Sequence, residues 1–253
     1  MDDICFAALS SGSRGNCIMI WDSEDTIIID MGISNRRFMS LSSQFISDHG
    51  SISLLVTHEH SDHCSGVSTF ISKRMGDVYA TPGTLEAMGL PGYSIGSSMI
   101  IGNFVIERID ISHDAAEPAA FVIRNSGIKI TVASDMGKVP ERLITAGKDS
   151  DLIALEANHD VQMLKNGNYP EPLKRRILGE HGHLSNDQSA EALSRMVSKK
   201  SKIVLTHLSQ ENNLEDLAVG SVKSYLENRG VEYSSIECAS QWQPRAYHSW
   251  SQH

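Results

Sequence analysis

The sequence has few of the features that would place it outside ordinary globular proteins. Aromatic residues make up 6% of it, so its core has to be built mainly from aliphatic side chains. Its four cysteines, Cys5, Cys17, Cys64 and Cys238, contain no C-x-x-C pair and, in a chain of 253 residues, do not suggest a disulfide framework. A reducing cytoplasm is their natural setting. No run approaches the roughly 18 apolar residues of a membrane span. The opening, MDDICFAALS, is acidic and without the apolar stretch of a secretory signal. Bases are outnumbered, 22 against 31 acids for a net charge of -9, which argues against a protein that clamps nucleic acid by bulk charge.

The remaining composition is that of a globular α/β protein, with 40% apolar and 21% charged residues. Short β-type runs separated by glycine turns fill the first half: Ile4–Leu9, Cys17–Trp21, Thr26–Ile29 and Ile52–Val56. Further strands are expected at Phe104–Ile109, Ala120–Ile123, Lys129–Ala133, Leu152–Leu155 and Ile203–Leu205. Helical spacing marks Asn186–Ser198, with Ser185 as N-cap, and Leu214–Asn228, stopped at Gly230; a less regular helix is expected near Asn35–Ser47. There is no internal repeat or linker. Two layers of sheet covered by helices, in one domain over residues 1–240, fit this pattern, with 241–253 as a C-terminal tail.

One segment concentrates chemistry. His58-Glu59-His60-Ser61-Asp62-His63 follows directly on the apolar run Ile52–Val56. On an extended segment His58, His60 and Asp62 share a side, and His63 comes from the turn that follows. One stretch therefore offers two groups of ligands, suited to two adjacent metals of the kind that imidazole and carboxylate bind: zinc, manganese or iron(II). A histidine-rich solvated loop is the competing interpretation, but polar side chains at the end of a buried strand need partners.

The H-x-H-x-D-H run resembles the signature of the metallo-β-lactamase superfamily, and other landmarks of that family follow in order. Asp30 in IIIDMG resembles the first motif, an aspartate that orients the ligand loop. His113 in ISHDAAEP, Asp135 in VASDMG and His207 in VLTHLS resemble the later ligands. The resemblance implies an αββα fold, with two mixed sheets between helices. It implies one metal on His58, His60 and His113, a second on Asp62, His63 and His207, and Asp135 bridging them. Zinc is the expected metal and manganese the alternative. Aspartate rather than cysteine at 135 departs from the main zinc β-lactamases, and histidine at 60 from the di-iron flavoprotein branch. Cys64 is expected to pack as a small apolar residue.

Three further stretches narrow the resemblance. LSSGSRGN, LEANHD and GEHGHLSN, with SHDAAEP, together resemble the YycJ (WalJ) branch over the chain to about residue 240. That branch is associated with 5′-to-3′ DNA exonuclease activity, which implies DNA ends as substrate. Glu156 and His183 match the carboxylate–histidine proton donor of tRNase Z-like phosphodiesterases. An alkoxide is a poor leaving group unless protonated, and an imidazolium held by a carboxylate can supply that proton. The implied reaction is in-line attack by a hydroxide bridging the two metals, with Asp62, His183 and Glu156 as catalytic residues. After Asp62, Asp135 and the hydroxide are counted, the centre keeps about one positive charge to attract a phosphodiester, whatever the net charge of the chain.

Substrate contacts are expected at Ser11, Ser13 and Asn16, whose loop is either a tight turn or a phosphate cradle. They are also expected at His159, by family analogy, and at Lys174-Arg175-Arg176, the one dense basic run, otherwise a solvated helix face. His181 is expected only as a neighbour of His183, Asn158 and Asp160 as loop-fixing residues, and His49, His248 and His253 as surface residues. Rival functions are a thioesterase or lactonase with the same metals, a small cyclic phosphodiesterase, and a non-catalytic regulatory module. A thiolate leaves without protonation, which favours the phosphodiesterase, and the complete ligand set argues against the module.

Overall fold

Strands buried on both faces are apolar throughout, because neither side chain direction meets water. TIII and LIAL are such runs, and both are inner strands. The structure, a computed structural model, describes residues 4–45 and 50–250. Its first half holds β1 (Ile4–Ser10), β2 (Cys17–Trp21), β3 (Asp25–Ile29), α1 (Asn35–Ser42), β4 (Ser51–Leu55), α2 (Ser61–Cys64), α3 (Val67–Ser72), β5 (Asp77–Ala80), α4 (Pro82–Met88) and β6 (Tyr93–Ser94). Then come β7 (Ser98–Ile101), β8 (Phe104–Asp110), β9 (Ala119–Asn125), β10 (Ile128–Ala133), α5 (Glu141–Gly147), β11 (Leu152–Glu156), α6 (Val161–Asn166), α7 (Glu171–Ile177), α8 (Asn186–Met196), β12 (Lys202–Thr206), α9 (Glu215–Glu227), β13 (Ser235–Cys238) and β14 (Arg245–Trp250).

These strands form two seven-stranded mixed sheets, ordered β14-β1-β2-β3-β4-β5-β6 and β13-β12-β11-β10-β9-β8-β7. Alternate side chains of each sheet face opposite ways. Phe6, Ala8, Ile27 and Ile29 meet Phe104, Ile106, Phe121 and Val132 between the sheets. Ala7, Leu9, Ile28 and Leu54 face outward under Phe38 and Phe70, from α1 and α3. Ile153, Leu155, Ile203 and Leu205 pack under α5, α8 and α9 through Leu143, Leu193 and Val222. The layers are helix, sheet, sheet, helix, the expected fold class.

The expected strands occupy their places within a residue or two. Ser185 caps α8 in a capping box with Gln188. The helix at Asn35 ends at Ser42, and residues 46–49, including His49, lie outside the described residues, as does His253. The tail is corrected: Arg245–Trp250 pairs antiparallel with β1, Phe6 opposite His248, and so covers an otherwise open sheet edge. His248 is also corrected, since its Nε2 lies 2.8 Å from Glu237 Oε1 and its side chain is 11% exposed.

Candidate metal centre

The site sits where the parallel strands end. β3 and β4 run parallel in one sheet, and β10, β11 and β12 in the other, so their carboxyl ends gather along one edge. Asp30 follows β3, the histidine run follows β4, Asp135 follows β10, Glu156 ends β11 and His207 follows β12. Asp30, Asp135 and His207 have positive φ, at 61°, 57° and 53°. A non-glycine residue held there costs about 1–3 kcal/mol, so the packing around each must over-determine it.

The histidine run is extended only through His60, the N-cap of α2 at φ -61 and ψ 146. Asp62 and His63 come from the helical turn, not from a continued strand, which corrects the alternation expected for Asp62. That turn lies against the backbone at Gly32, where an added Cβ would stand 1.7 Å from Asp62 O.

The donor atoms converge. His58 Nε2 lies 3.1 Å, and His113 Nε2 3.3 Å, from His60 Nδ1. His207 Nε2 is 3.3 Å, and His63 Nε2 3.5 Å, from Asp62 Oδ2, and His63 Nε2 is 3.1 Å from Asp135 Oδ2. The groups whose donors all lie within 4.8 Å of one another include His58–His60–His113, Asp62–His63–His207 and His58–His63–Asp135. The far nitrogens are occupied: His58 Nδ1 by Thr57 Oγ1 at 3.0 Å, His113 Nδ1 by Gly182 O at 3.2 Å, His63 Nδ1 by Asp30 Oδ2 at 2.7 Å. Such partners fix ring orientation and leave Nε2 facing the cluster.

These residues fit divalent metals. Buried Asp135 Oδ2 makes no hydrogen bond among the described residues, and imidazole nitrogens face one another without an acceptor between them. Imidazole plus carboxylate is a borderline donor set suited to zinc or manganese. The electrostatics agree. Burial and neighbouring His63 hold His58 well below its usual pKa, in the neutral form that ligates. Burial works against charge on Asp135, but His207 and His63 hold it well below the carboxylate range. Burial opposes the His207 cation too, yet Asp135, Asp62 and Glu156 push its pKa up to about 10. Buried carboxylates here require positive charge beside them.

Glu156 and His183 form the tightest pair, Nδ1 to Oε1 at 2.6 Å. Glu156 is fully buried, and its Oε2 accepts from the N–H groups of Met136 and Leu184 at 3.1 and 3.2 Å. Burial pushes its pKa up, but His183 outweighs this and keeps it below the usual value. Conversely, burial lowers His183 and Glu156 raises it above the usual histidine value.

Several expected substrate contacts are redirected. Ser11 is buried and its Oγ accepts from His207 N at 2.8 Å. Asn16 is buried and reaches His63 Nε2 at 3.0 Å, while its N–H donates to Asp62 O at 2.7 Å. Both are therefore turned inward onto candidate ligands rather than outward, and only Ser13 and Arg14 of that loop are exposed. His159 is 1% exposed, with neither ring nitrogen partnered among the described residues, so it has little surface to offer a substrate. Lys174 donates to Lys165 O at 2.8 Å and pairs with Glu171 at 3.1 Å, which leaves no free ammonium. Arg175 is exposed, and Arg176 reaches the site's edge through Asp114, which lies 3.3 Å from His113. His181 touches Ser112 at 3.0 Å, outside the cluster. Cys64 donates to Glu59 O at 2.9 Å and, half-buried, packs against the outer core.

The sequence reading missed Thr57, whose N–H and Oγ1 anchor Asp30 at 2.8 and 3.0 Å. Glu59, a ligand-type side chain of the run, instead accepts from Ala116 N at 2.8 Å, and Gln241, far along the chain, was not singled out. A threonine between a buried strand and a ligand run was a readable signal; Gln241 offered none.

This fold and donor set define a metal-dependent hydrolase of the metallo-β-lactamase class. Residues 26–208 match the family model described as the beta-lactamase superfamily domain. The chain is 36% identical over 237 residues to exodeoxyribonuclease YycJ of Bacillus anthracis, covering 89% of this chain and 90% of that protein. It is 34% identical over 227 residues to exodeoxyribonuclease WalJ of Streptococcus pneumoniae, covering 84% of each. The crystal structure of the metallo-beta-lactamase fold protein YhfI from Bacillus subtilis superposes with a TM-score of 0.72 at 12% identity, covering 99% of this chain and 100% of that one. The chain belongs to the YycJ/WalJ family of the metallo-β-lactamase superfamily.

Proposed function

We propose that this protein is a metal-dependent phosphodiesterase of the cytoplasm, an exodeoxyribonuclease that shortens DNA from its ends in the 5′-to-3′ direction. The observation that carries the reading is the His183–Glu156 pair at 2.6 Å beside the histidine–aspartate cluster, and the names of the 34–36% identical relatives support DNA as substrate. His58, His60 and His113 would hold one divalent ion, Asp62, His63 and His207 the other, with Asp135 between them. Bound there, two such ions supply an acidified water and Lewis-acid stabilisation of charge on the phosphoryl oxygens.

The chain's own residues do the rest. Asp30 keeps His63 in one tautomer by accepting the hydrogen bond from its Nδ1–H at 2.7 Å, and Gly182 O does the same for His113. Glu156 holds His183 through Nδ1, so the proton available for transfer is on Nε2. That proton goes to the departing sugar oxygen and leaves a neutral imidazole. A thioester would gain little from this donor.

The test is digestion of duplex and single-stranded DNA, labelled at either end, with zinc and with manganese. Metal-dependent release of mononucleotides from the 5′ end is expected. Hydrolysis of bis-p-nitrophenyl phosphate with no cleavage of any polynucleotide would overturn the exodeoxyribonuclease reading.

A further inference from the structure

Trp242 keeps 59% of its surface in solvent. Two guanidinium groups stand over its ring, Arg14 at 5.4 Å and Arg37 at 6.0 Å from the centroid. Arg108, Arg124, Arg176, Arg195 and Arg245 each pair with a carboxylate; Arg14 and Arg37, like several other arginines, pair with none among the described residues, but these two share one exposed ring. In a chain of net charge -9, two guanidiniums left unpaired around one exposed indole form a local cationic, aromatic patch.

The patch is fixed in place. Gln241, 7% exposed, accepts from Arg14 N at 2.9 Å and donates through Nε2 to Gly15 O at 3.1 Å, and its carbonyl accepts from Arg37 Nη2 at 2.5 Å. One buried amide thus locks β14's approach, the 10–16 loop and α1 together. The same loop ends on the metal donors, through Ser11 Oγ to His207 N at 2.8 Å and Asn16 N to Asp62 O at 2.7 Å. One loop thus carries Arg14 of the patch and, through Ser11 and Asn16, bonds to His207 and Asp62.

We propose that Trp242, Arg14 and Arg37 form a nucleotide subsite, in which a base of the substrate strand stacks on the indole and adjoining phosphates lie on the guanidiniums. The proposal deepens the phosphodiesterase reading and rests on it. An indole accepts the π-face of any base, so the subsite is indifferent to sequence. A base must be unstacked to use it, so it favours strand ends and single strands over the interior of a duplex.

The test measures anisotropy of labelled phosphorothioate oligo(dT), which keeps its charge and resists hydrolysis, on metal-loaded protein, together with KM for unmodified DNA. Trp242→Ala should raise Kd and KM about 10-fold, and Trp242→Phe should restore most of the affinity. Arg14→Ala, whose side chain makes no hydrogen bond among the described residues, should flatten the dependence of log Kd on log salt by about 0.7. Arg229→Ala, just beyond the C-terminal end of α9, removes the same charge and should change neither. Wild-type protein that binds and cleaves DNA, with Trp242→Ala and Arg14→Ala within about 2-fold of it, overturns the subsite and leaves the phosphodiesterase reading standing. Hydrolysis of bis-p-nitrophenyl phosphate without binding or cleavage of DNA sinks the subsite and the exodeoxyribonuclease reading together. A dimer in sedimentation that Trp242→Ala dissolves, with DNA affinity unchanged, would assign the patch to a second copy and overturn the proposal.

Discussion

Replacing His183 with alanine separates proton donation from metal binding. The imidazole is held at 2.6 Å by a carboxylate that is itself fixed by two backbone N–H groups, so its direction is set before substrate arrives. A positioned general acid contributes about 10²–10⁴-fold, or about 3–5 kcal/mol of barrier. That loss should appear in full on DNA, where the leaving group is an alkoxide. It should shrink to about 10-fold or less on bis-p-nitrophenyl phosphate, whose phenolate departs unaided. The assay compares kcat for both substrates on one preparation, with metal content measured by mass spectrometry. Glu156→Gln should reproduce the pattern, and the double variant should lose little more than either alone. His183 also lies with Asp135, Glu156 and His207 in a group whose donors fall within 4.8 Å. Metal content that falls with turnover, or equal losses on the two substrates, would make His183 a ligand and refute the reasoning.

Other outcomes follow from single contacts. Asp30→Asn removes the acceptor at 2.7 Å from His63 Nδ1 and should weaken metal binding about 10–100-fold in competition with a chelator. Gly32→Ala puts a methyl 1.7 Å from Asp62 O and should destabilise the protein by about 3 kcal/mol or more, read as a fall in Tm. Asp22 is held below its usual pKa: burial opposes the charge, but the N–H groups of Asp25 and Glu24 and the amides of Asn103 and Asn125 outweigh it. Stability from that carboxylate is complete above the unfolded-state pKa and is lost as pH falls through the folded one. Asp22→Asn should therefore lower Tm by about 2 °C at neutral pH, with the difference closing as pH falls below the usual aspartate range. Lys174→Ala should leave the salt dependence of DNA binding unchanged, because that ammonium is already engaged by Lys165 O and Glu171; a flattened slope would show it reaching phosphate.

Much of the architecture is written locally. Apolar runs such as TIII and LIAL must be buried on both sides wherever they lie, and Ser185 with Gln188 caps a helix by bonds within one turn. Short elements were less legible: β6 is only Tyr93–Ser94, and β14 alternates too weakly to show a partner before β1 supplies an edge. The His58–His63 run offers metal-ligating chemistry in the sequence alone, because spacing within six residues limits how far the donors can separate. Which atoms face each other is a matter of folding. The turn of α2 redirects Asp62 and His63, and Ser11 and Asn16, plausible phosphate contacts by type, are drawn inward by His207 N and Asp62 O. Lys174 is neutralised by its own helix, while Arg14, Arg37 and Trp242, unremarkable where they stand in the chain, meet at one rim through Gln241. Residue type and local spacing settle what chemistry the chain carries. Only long-range hydrogen bonds, between residues as far apart as 14 and 241, decide which side chains are left free to use it.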